Sequence, residues 1–246
     1  MITDSYSGFI LPIWSWRTPA TDIPEKVYGN FRVTKRVVKP GTAWPMCRTL
    51  GYDYCVFMRE ATLTLLQEKV GDRWKDWMVD SPYEWYAMGE YSMRTRGPRV
   101  LVGGLGLGLI LHHLTMRRDI DEITVVEVSG DVIQIISPHI PKDRRIGIIQ
   151  GDIFDVIPRL ASEGREFDTI IIDIWAGRDY EFVEDFRRLR SILYRYYANA
   201  LHLFHPFQKT LDTELFLSYL GDVKKPIRFI PEDVLHVLRE GNSSKI

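Results

Sequence analysis

The chain has very little cysteine: Cys47 and Cys55 are the only two in 246 residues. They stand eight positions apart, with no Cys-x-x-Cys spacing and no paired histidines beside them. That argues against a zinc site and a disulfide framework, and for a reduced, cytoplasmic setting. Long apolar runs are missing as well: none approaches the roughly 18 residues that cross a bilayer. The first twenty residues, MITDSYSGFILPIWSWRTPA, lack the basic start and unbroken apolar core of a secretory signal. Neither sign of charge dominates. Lys and Arg number 32 against 33 Asp and Glu, a net charge of −1, which gives no global field to gather nucleic acid or an anionic membrane. There is no internal repeat and no low-complexity tract. What remains is an ordinary globular composition, 45% hydrophobic and 26% charged. The length suits one large domain, or a medium one with a small appendage.

The pattern changes character twice. Residues 25–72 carry β-branched stretches (FRVTKRVVKP, YDYCVFMRE, ATLTLLQE) separated by turn-like or charged residues, and predict a small antiparallel β unit. Trp74, Trp77 and Met78, followed by Trp85, Met88 and Tyr91, recur at roughly helical spacing. Ser81-Pro82 reads as a helix start with Glu84 in its first turn. From residue 99 strands and helices alternate: RVLV, LGLILHHLTM, EITVVEV, SGDVIQIISPHI, IGIIQGD, IFDVIPRLASEG and FDTIIIDIW. The uninterrupted apolar strands suit a parallel sheet buried on both faces, so the predicted class is α/β, a Rossmann-like doubly wound sheet. The boundary falls between an N-terminal region, 1–97, and a nucleoside-binding domain, 98–246. A long helical stretch begins near residue 180, with LHLF as a further strand candidate and TELFLSYLG and PEDVLHVL as short helices. The irregular region after 200 leaves open a shortened sheet or a dimer-forming insertion, and with it a homodimer.

VLVGGLGLG, residues 100–108, holds the most specific information. A strand runs straight into four glycines, and a helix begins at once. Such glycines either let a ligand lie close against the backbone or merely make a tight turn. Dinucleotide sites use GxGxxG, whose third glycine would fall at Leu109. Here Gly104, Gly106 and Gly108 spell GxGxG, which suits a nucleoside without a pyrophosphate, such as S-adenosylmethionine. Glu127, about 20 residues past the loop at the end of the next strand, is placed to accept from both ribose hydroxyls or to cap the following helix.

VLVGGLGLG, VVEVSGDVI, GDIFDVIP and FDTIIIDIW stand in the order and spacing of the class I S-adenosylmethionine-dependent methyltransferases. The chain resembles most closely the spermidine-synthase-like branch of that superfamily, which places a small β domain ahead of the Rossmann-like one. The resemblance covers about residues 98–180. It implies that Gly103, Gly104, Gly106 and Gly108 pass under the methionine and ribose of the donor. It implies that Glu127, with Val128 beside it, holds the ribose, that Asp152 accepts from the adenine amino group, and that Ile153 packs on the ring. Asp173 would face the sulfonium and the donor's amino group. Asp152 also reads as a helix N-cap.

Two chemistries share this fold. Aminopropyltransferases carry a GGGDGG loop and DxxDP after the fourth strand. Here Gly106 stands where the loop's acid belongs, and in DIWA Asp173 matches the first acid of DxxDP but Ala176 stands where the second belongs; both departures favour methyl transfer over aminopropyl transfer. A non-catalytic nucleoside-binding protein of the same fold is the third reading. The expected acceptor is a small molecule, with no metal, no membrane and no nucleic acid. The Asn/Asp-Pro-Pro-Tyr/Phe segment of adenine methylation is absent, and neither cysteine lies near the site as a nucleophile. On the acceptor side, Trp175, Tyr83 and Glu84 are the binding candidates, and Asp173, Asp179 and Tyr180 the catalytic or orienting ones. His112-His113 read as one core and one surface residue. His202 and His205, three apart, read as structural.

Overall fold

A computed structural model describes residues 9–46, 52–175 and 181–205, the side chain of Glu181 excepted. All lie within the compact unit Met1–Pro206. In chain order the first strands are β1 (Ile10–Ile13), β2 (Lys26–Tyr28), β3 (Phe31–Val38), β4 (Ala43–Pro45), β5 (Tyr54–Phe57), β6 (Ala61–Val70) and β7 (Arg73–Val79). They form two sheets. One is antiparallel, in the order β2-β3-β6-β7. The other has the order β1-β5-β4, with β1 parallel to β5.

The helical spacing of Trp74, Trp77 and Met78 is thus overturned: these residues lie in strand β7. Met78 pairs with Leu66 and Asp76 with Gln67, so Trp77 is the extra residue of a bulge. A bulge sets two residues against one on the partner strand and breaks the two-residue alternation. Trp77 and Met78 accordingly both pack against the core, Trp77 edge-on to Phe31. The helix predicted from Ser81 does form: α1 spans Pro82–Arg94, with Ser81 Oγ accepting from Glu84 N at 3.3 Å.

After α1 the elements are β8 (Arg99–Gly103), α2 (Leu109–Thr115), β9 (Glu122–Glu127), α3 (Gly130–Ile136), β10 (Ile146–Gln150), α4 (Ile153–Ser162), β11 (Thr169–Ile172), α5 (Glu181–Tyr196) and β12 (Leu201–Phe204). The five strands are all parallel, in the order β10-β9-β8-β11-β12. The chain starts in the middle, winds outward through β9 and β10, then returns to β11 on the other side of β8. This is the expected doubly wound, Rossmann-like sheet. Its order reverses between β8 and β11, where such sheets open a crevice at their carboxyl ends. Val100, Leu101, Val102, Ile123, Val125 and Ile170 to Ile172 are buried. Phe31, Val33 and Leu66 of the antiparallel sheet belong to the same core cluster as Val100, Leu111 and Ile171, so that sheet and the parallel one share apolar packing.

A polar hub sits where the β unit feeds into α1. Asp80 is buried; its carboxylate accepts from Thr18 Oγ1 and from Thr64 N, both at 2.6 Å. Its carbonyl accepts from Trp16 Nε1 at 3.1 Å. Lys35 Nζ donates to Thr64 Oγ1 at 2.9 Å and to the carbonyls of Ala20 and Thr21. Burial pushes the Asp80 carboxyl up to about 6 despite these partners.

Candidate functional site

Parallel pairing aligns Gly103, Val126, Ile172 and Phe204 across the sheet. One residue further on lie Gly104, Glu127, Asp173 and His205. The backbone ties this row together. Gly104 N donates to Val126 O, Asp173 N to Gly103 O and His205 N to Ile172 O, each at 2.8 Å. The order along the row is Glu127, Gly104, Asp173, His205. With strands about 4.8 Å apart, its three spacings span about 14 Å. Two carboxylates, a glycine turn and an imidazole therefore line the carboxyl edge of the sheet on both sides of the switch point.

Glu127 is buried, and each of its oxygens accepts a backbone N–H at 2.8 Å: Oε2 from Leu105 in the glycine loop, Oε1 from Ser129. Ser129 in turn caps α3, its Oγ accepting from Val132 N. Glu127 thus braces the loop and the helix start, and a carboxylate with about four acceptor sites has capacity for further donors. Burial raises its carboxyl above the usual range, while the backbone N–H groups pull the other way.

The glycine loop is tight for reasons within the protein. Gly104 has φ +93°, and a Cβ there would lie 2.1 Å from the carbonyl oxygen of Asp173. Gly106 has φ +51°, and its Cβ would meet Met78 Sδ at 2.5 Å; that sulfur also accepts from Leu107 N at 3.2 Å. Gly108, at φ +72°, is the N-cap residue of α2. Gly103 lies under the side chains of Ile172 and Ile153. Asp152 caps α4, Oδ1 accepting from Phe154 N at 2.9 Å. Ile153 behind it is buried, and Val128 stands exposed just past the end of β9.

Across the switch point from Gly104, Asp173 is half-buried. Burial pushes its carboxyl up to about 6, the imidazole of His205 pulls it down, and the carboxylates of Glu84 and Glu127 push it up. His205 is buried. Its Nε2 lies 3.5 Å from Glu84 Oε2 on the first turn of α1. Its ring stands 5.6 Å from Tyr91, perpendicular to it, and 5.8 Å from Tyr83. Tyr91 OH donates to the carbonyl of Phe204 at 3.2 Å, and burial raises its hydroxyl. Glu84 and Tyr83 thus share a cluster with His205. The i, i+3 spacing of His202 and His205 concealed this, because the two rings go separate ways: His202 Nε2 lies 2.9 Å from the carbonyl of Tyr197.

Trp175 is buried and meets Phe186 of α5 edge-on at 6.1 Å; Phe186 meets Phe204 at 5.1 Å, so these rings pack α5 against β12. Asp179, Tyr180, Ala176 and Cys47 lie outside the described residues, as do the two short helices predicted after 206. Cys55 is buried, its thiol pushed up to about 11. His112 and His113 are both half-buried, not one core and one surface: His113 stacks on Trp85 at 4.0 Å and meets its carbonyl at 3.1 Å. Among the described residues no helix is long and apolar enough to cross a membrane.

No protein-family model matches the chain. Polyamine aminopropyltransferase 1 of Hyperthermus butylicus is 28% identical over 83 residues, 31% of this chain and 28% of that protein's length. The match thus spans little more than a quarter of the relative. Among solved structures, precorrin 8W decarboxylase of Methanobacterium thermoautotrophicum is 10% identical with a TM-score of 0.40, covering 58% of this chain and 73% of that one. Spermidine synthase of Thermotoga maritima is 16% identical with a TM-score of 0.38, covering 57% and 50%. The motif resemblance therefore stands beside a partial sequence match to an aminopropyltransferase and a sheet of Rossmann-like order.

Proposed function

We propose that this chain is an S-adenosylmethionine-dependent methyltransferase acting on a small-molecule acceptor. The observation that carries the reading is the row itself: Glu127, Gly104 and Asp173 on adjacent strands beside the switch point. The reading gives each a task. Glu127 holds the ribose hydroxyls while bracing the loop. Gly104 and Gly106 let the donor lie close to the backbone. Asp173, ionised, faces the cationic sulfonium and amino group. Asp152 serves the adenine end. Methyl transfer asks little more of the protein, because the sulfonium is already activated: the site must align donor and nucleophile, keep water out and provide for a proton.

Aminopropyl transfer is the second reading, and the match to a polyamine aminopropyltransferase favours it. Met78 weighs against it. Its thioether fills the space beside Gly106, where that family's loop carries an acid for the donor's propylamine. An apolar sulfur there offers a cationic amine no partner.

Thermal-shift titration with S-adenosylmethionine, S-adenosylhomocysteine, decarboxylated S-adenosylmethionine and NAD tests the assignment. A ligand at about 100 times its Kd adds about 2.7 kcal/mol, or 5–10 °C on the order-of-magnitude scale for this size. Shifts with the first two are expected. A shift with the decarboxylated donor alone selects aminopropyl transfer, and no shift with any of the four overturns both readings.

A further inference from the structure

We infer that His205, held by Glu84 and facing Asp173, takes the proton from the acceptor, so that the acceptor is a protic nucleophile: an amine, an alcohol or a phenol. The inference rests on the methyltransferase reading and adds to it a base and a substrate class.

The groups facing the imidazole come from two places, α1 and the end of β11. Tyr83, Glu84 and Tyr91 reach it from α1. Asp173 approaches from the neighbouring strand end, and Glu127 acts on Asp173 from further along the row. Two carboxylates therefore border one buried imidazole, with two aromatic rings closing the sides. In a site of low polarity two like charges repel, and a proton placed between them relieves the repulsion. The carboxylates fixed around His205 hold the proton once it has been taken and also enlarge the share of rings already protonated, so the neutral imidazole that acts as the base, and kcat with it, grows as pH rises. Asp173 is a poorer acceptor for that proton, since neutralising it would remove the charge that faces the sulfonium. Glu84 acts as the positioning residue, in the way a carboxylate orients and supports a catalytic imidazole elsewhere.

The step balances without another reagent. A lone pair on the acceptor's nitrogen or oxygen attacks the donor methyl carbon. The carbon–sulfur bond breaks, and its electron pair returns to sulfur, giving neutral S-adenosylhomocysteine. The acceptor's N–H or O–H proton moves to the imidazole and is later released to water.

The test uses the full chain in two stages. Calorimetry with S-adenosylhomocysteine comes first; absence of binding sinks the methyltransferase reading and leaves the cluster to be judged by the second stage. That stage follows the His205 ring signals by NMR over pH 5–9, assigned by their loss in His205→Gln. Glu84→Gln and Asp173→Asn should each lower the His205 midpoint by about one unit, since each removes a neighbouring negative charge. A midpoint that neither variant moves overturns the proposal. With S-adenosylmethionine and panels of primary amines, alcohols and phenols, His205→Gln should lower kcat at pH 7 by about 10²–10⁴-fold, with S-adenosylhomocysteine affinity within twofold of wild type. Turnover of tertiary amines or thioethers only, or of none of the three protic panels while the donor binds, also overturns it.

Discussion

Replacing Glu127 by glutamine separates the bracing seen in the fold from the proposed ribose role. The side chain keeps its size but loses its charge and one acceptor oxygen. In the wild type both oxygens are engaged, by Leu105 N and Ser129 N at 2.8 Å, in a buried position. Hydrogen bonds to a charged group contribute roughly 1.5–3 kcal/mol each, and a buried donor left unmatched costs a similar amount. Glutamine can serve one of the two N–H groups and turns its NH₂ toward the other. Relief of the burial penalty on the carboxylate offsets part of the loss. The expected net cost is about 2 kcal/mol of stability, or roughly 4–8 °C in Tm for a chain of this length. If the ribose hydroxyls also donate to this carboxylate, donor affinity falls about 100-fold, on the scale of two charge-assisted bonds weakened. Because S-adenosylmethionine and S-adenosylhomocysteine share the ribose, calorimetry should find the same loss for both. A Tm unchanged within 1 °C would refute the bracing role. Unchanged donor affinity in a folded variant would refute the ribose role, and unequal losses would put Glu127 near the sulfonium instead.

Asp173→Asn should discriminate by charge. The carboxyl ionises as pH rises through about 6, so wild-type preference for the cationic donor over S-adenosylhomocysteine should grow from pH 5 to 8, by about tenfold for 1.4 kcal/mol of attraction, and stay flat in the variant. Asp80 makes a stability prediction of defined sign. Burial pushes its carboxyl up to about 6 in the fold, above the ordinary 3.8 of the unfolded chain, so the folded state binds the extra proton and is favoured as pH falls through that window. In urea unfolding, wild type should gain about 2.4 kcal/mol relative to Asp80→Asn between pH 8 and pH 4; a flat difference would refute the burial cost. Gly104→Ala meets both a positive φ and the Asp173 carbonyl. It should cost at least about 3 kcal/mol and abolish donor binding, read by Tm and calorimetry together. Arg145 is the control away from the site. Its guanidinium donates to the carbonyls of Thr115, Arg117 and Ile120 and to Asp143. Arg145→Ala should lower stability by about 2–4 kcal/mol with donor affinity unchanged.

The parallel sheet was legible because its strands are short apolar runs and the helices between them open on glycine, serine or aspartate, signals that act within a few residues. Glu127 and Asp173 were legible for the same reason: each ends an apolar run. Strand β7 was not, because the bulge at Trp77 turns a two-residue alternation into spacings of three and four. His205 was not either. Its significance lies in Glu84, 121 positions earlier, and no local pattern links a residue after β12 to the first turn of α1. The structural part of Gly106 was hidden too, since Met78 reaches it from another sheet.

The Asp80 hub ties the N-terminal β unit to the start of α1 and, on the proposed reading, to acceptor choice. Thr18 and Thr64 fix Asp80, Asp80 adjoins the capping Ser81, and one turn later α1 delivers Glu84 to His205. A change at either threonine would tilt the start of that helix without touching a substrate. If His205 serves the acceptor as proposed, acceptor preference can drift, or be evolved in the laboratory, through positions that a comparison confined to the glycine loop would discard as scaffold. The same unit sends Met78 to the glycine loop and Phe31, Val33 and Leu66 to the shared core, so the parallel sheet grafted without it should lose the loop's support as well.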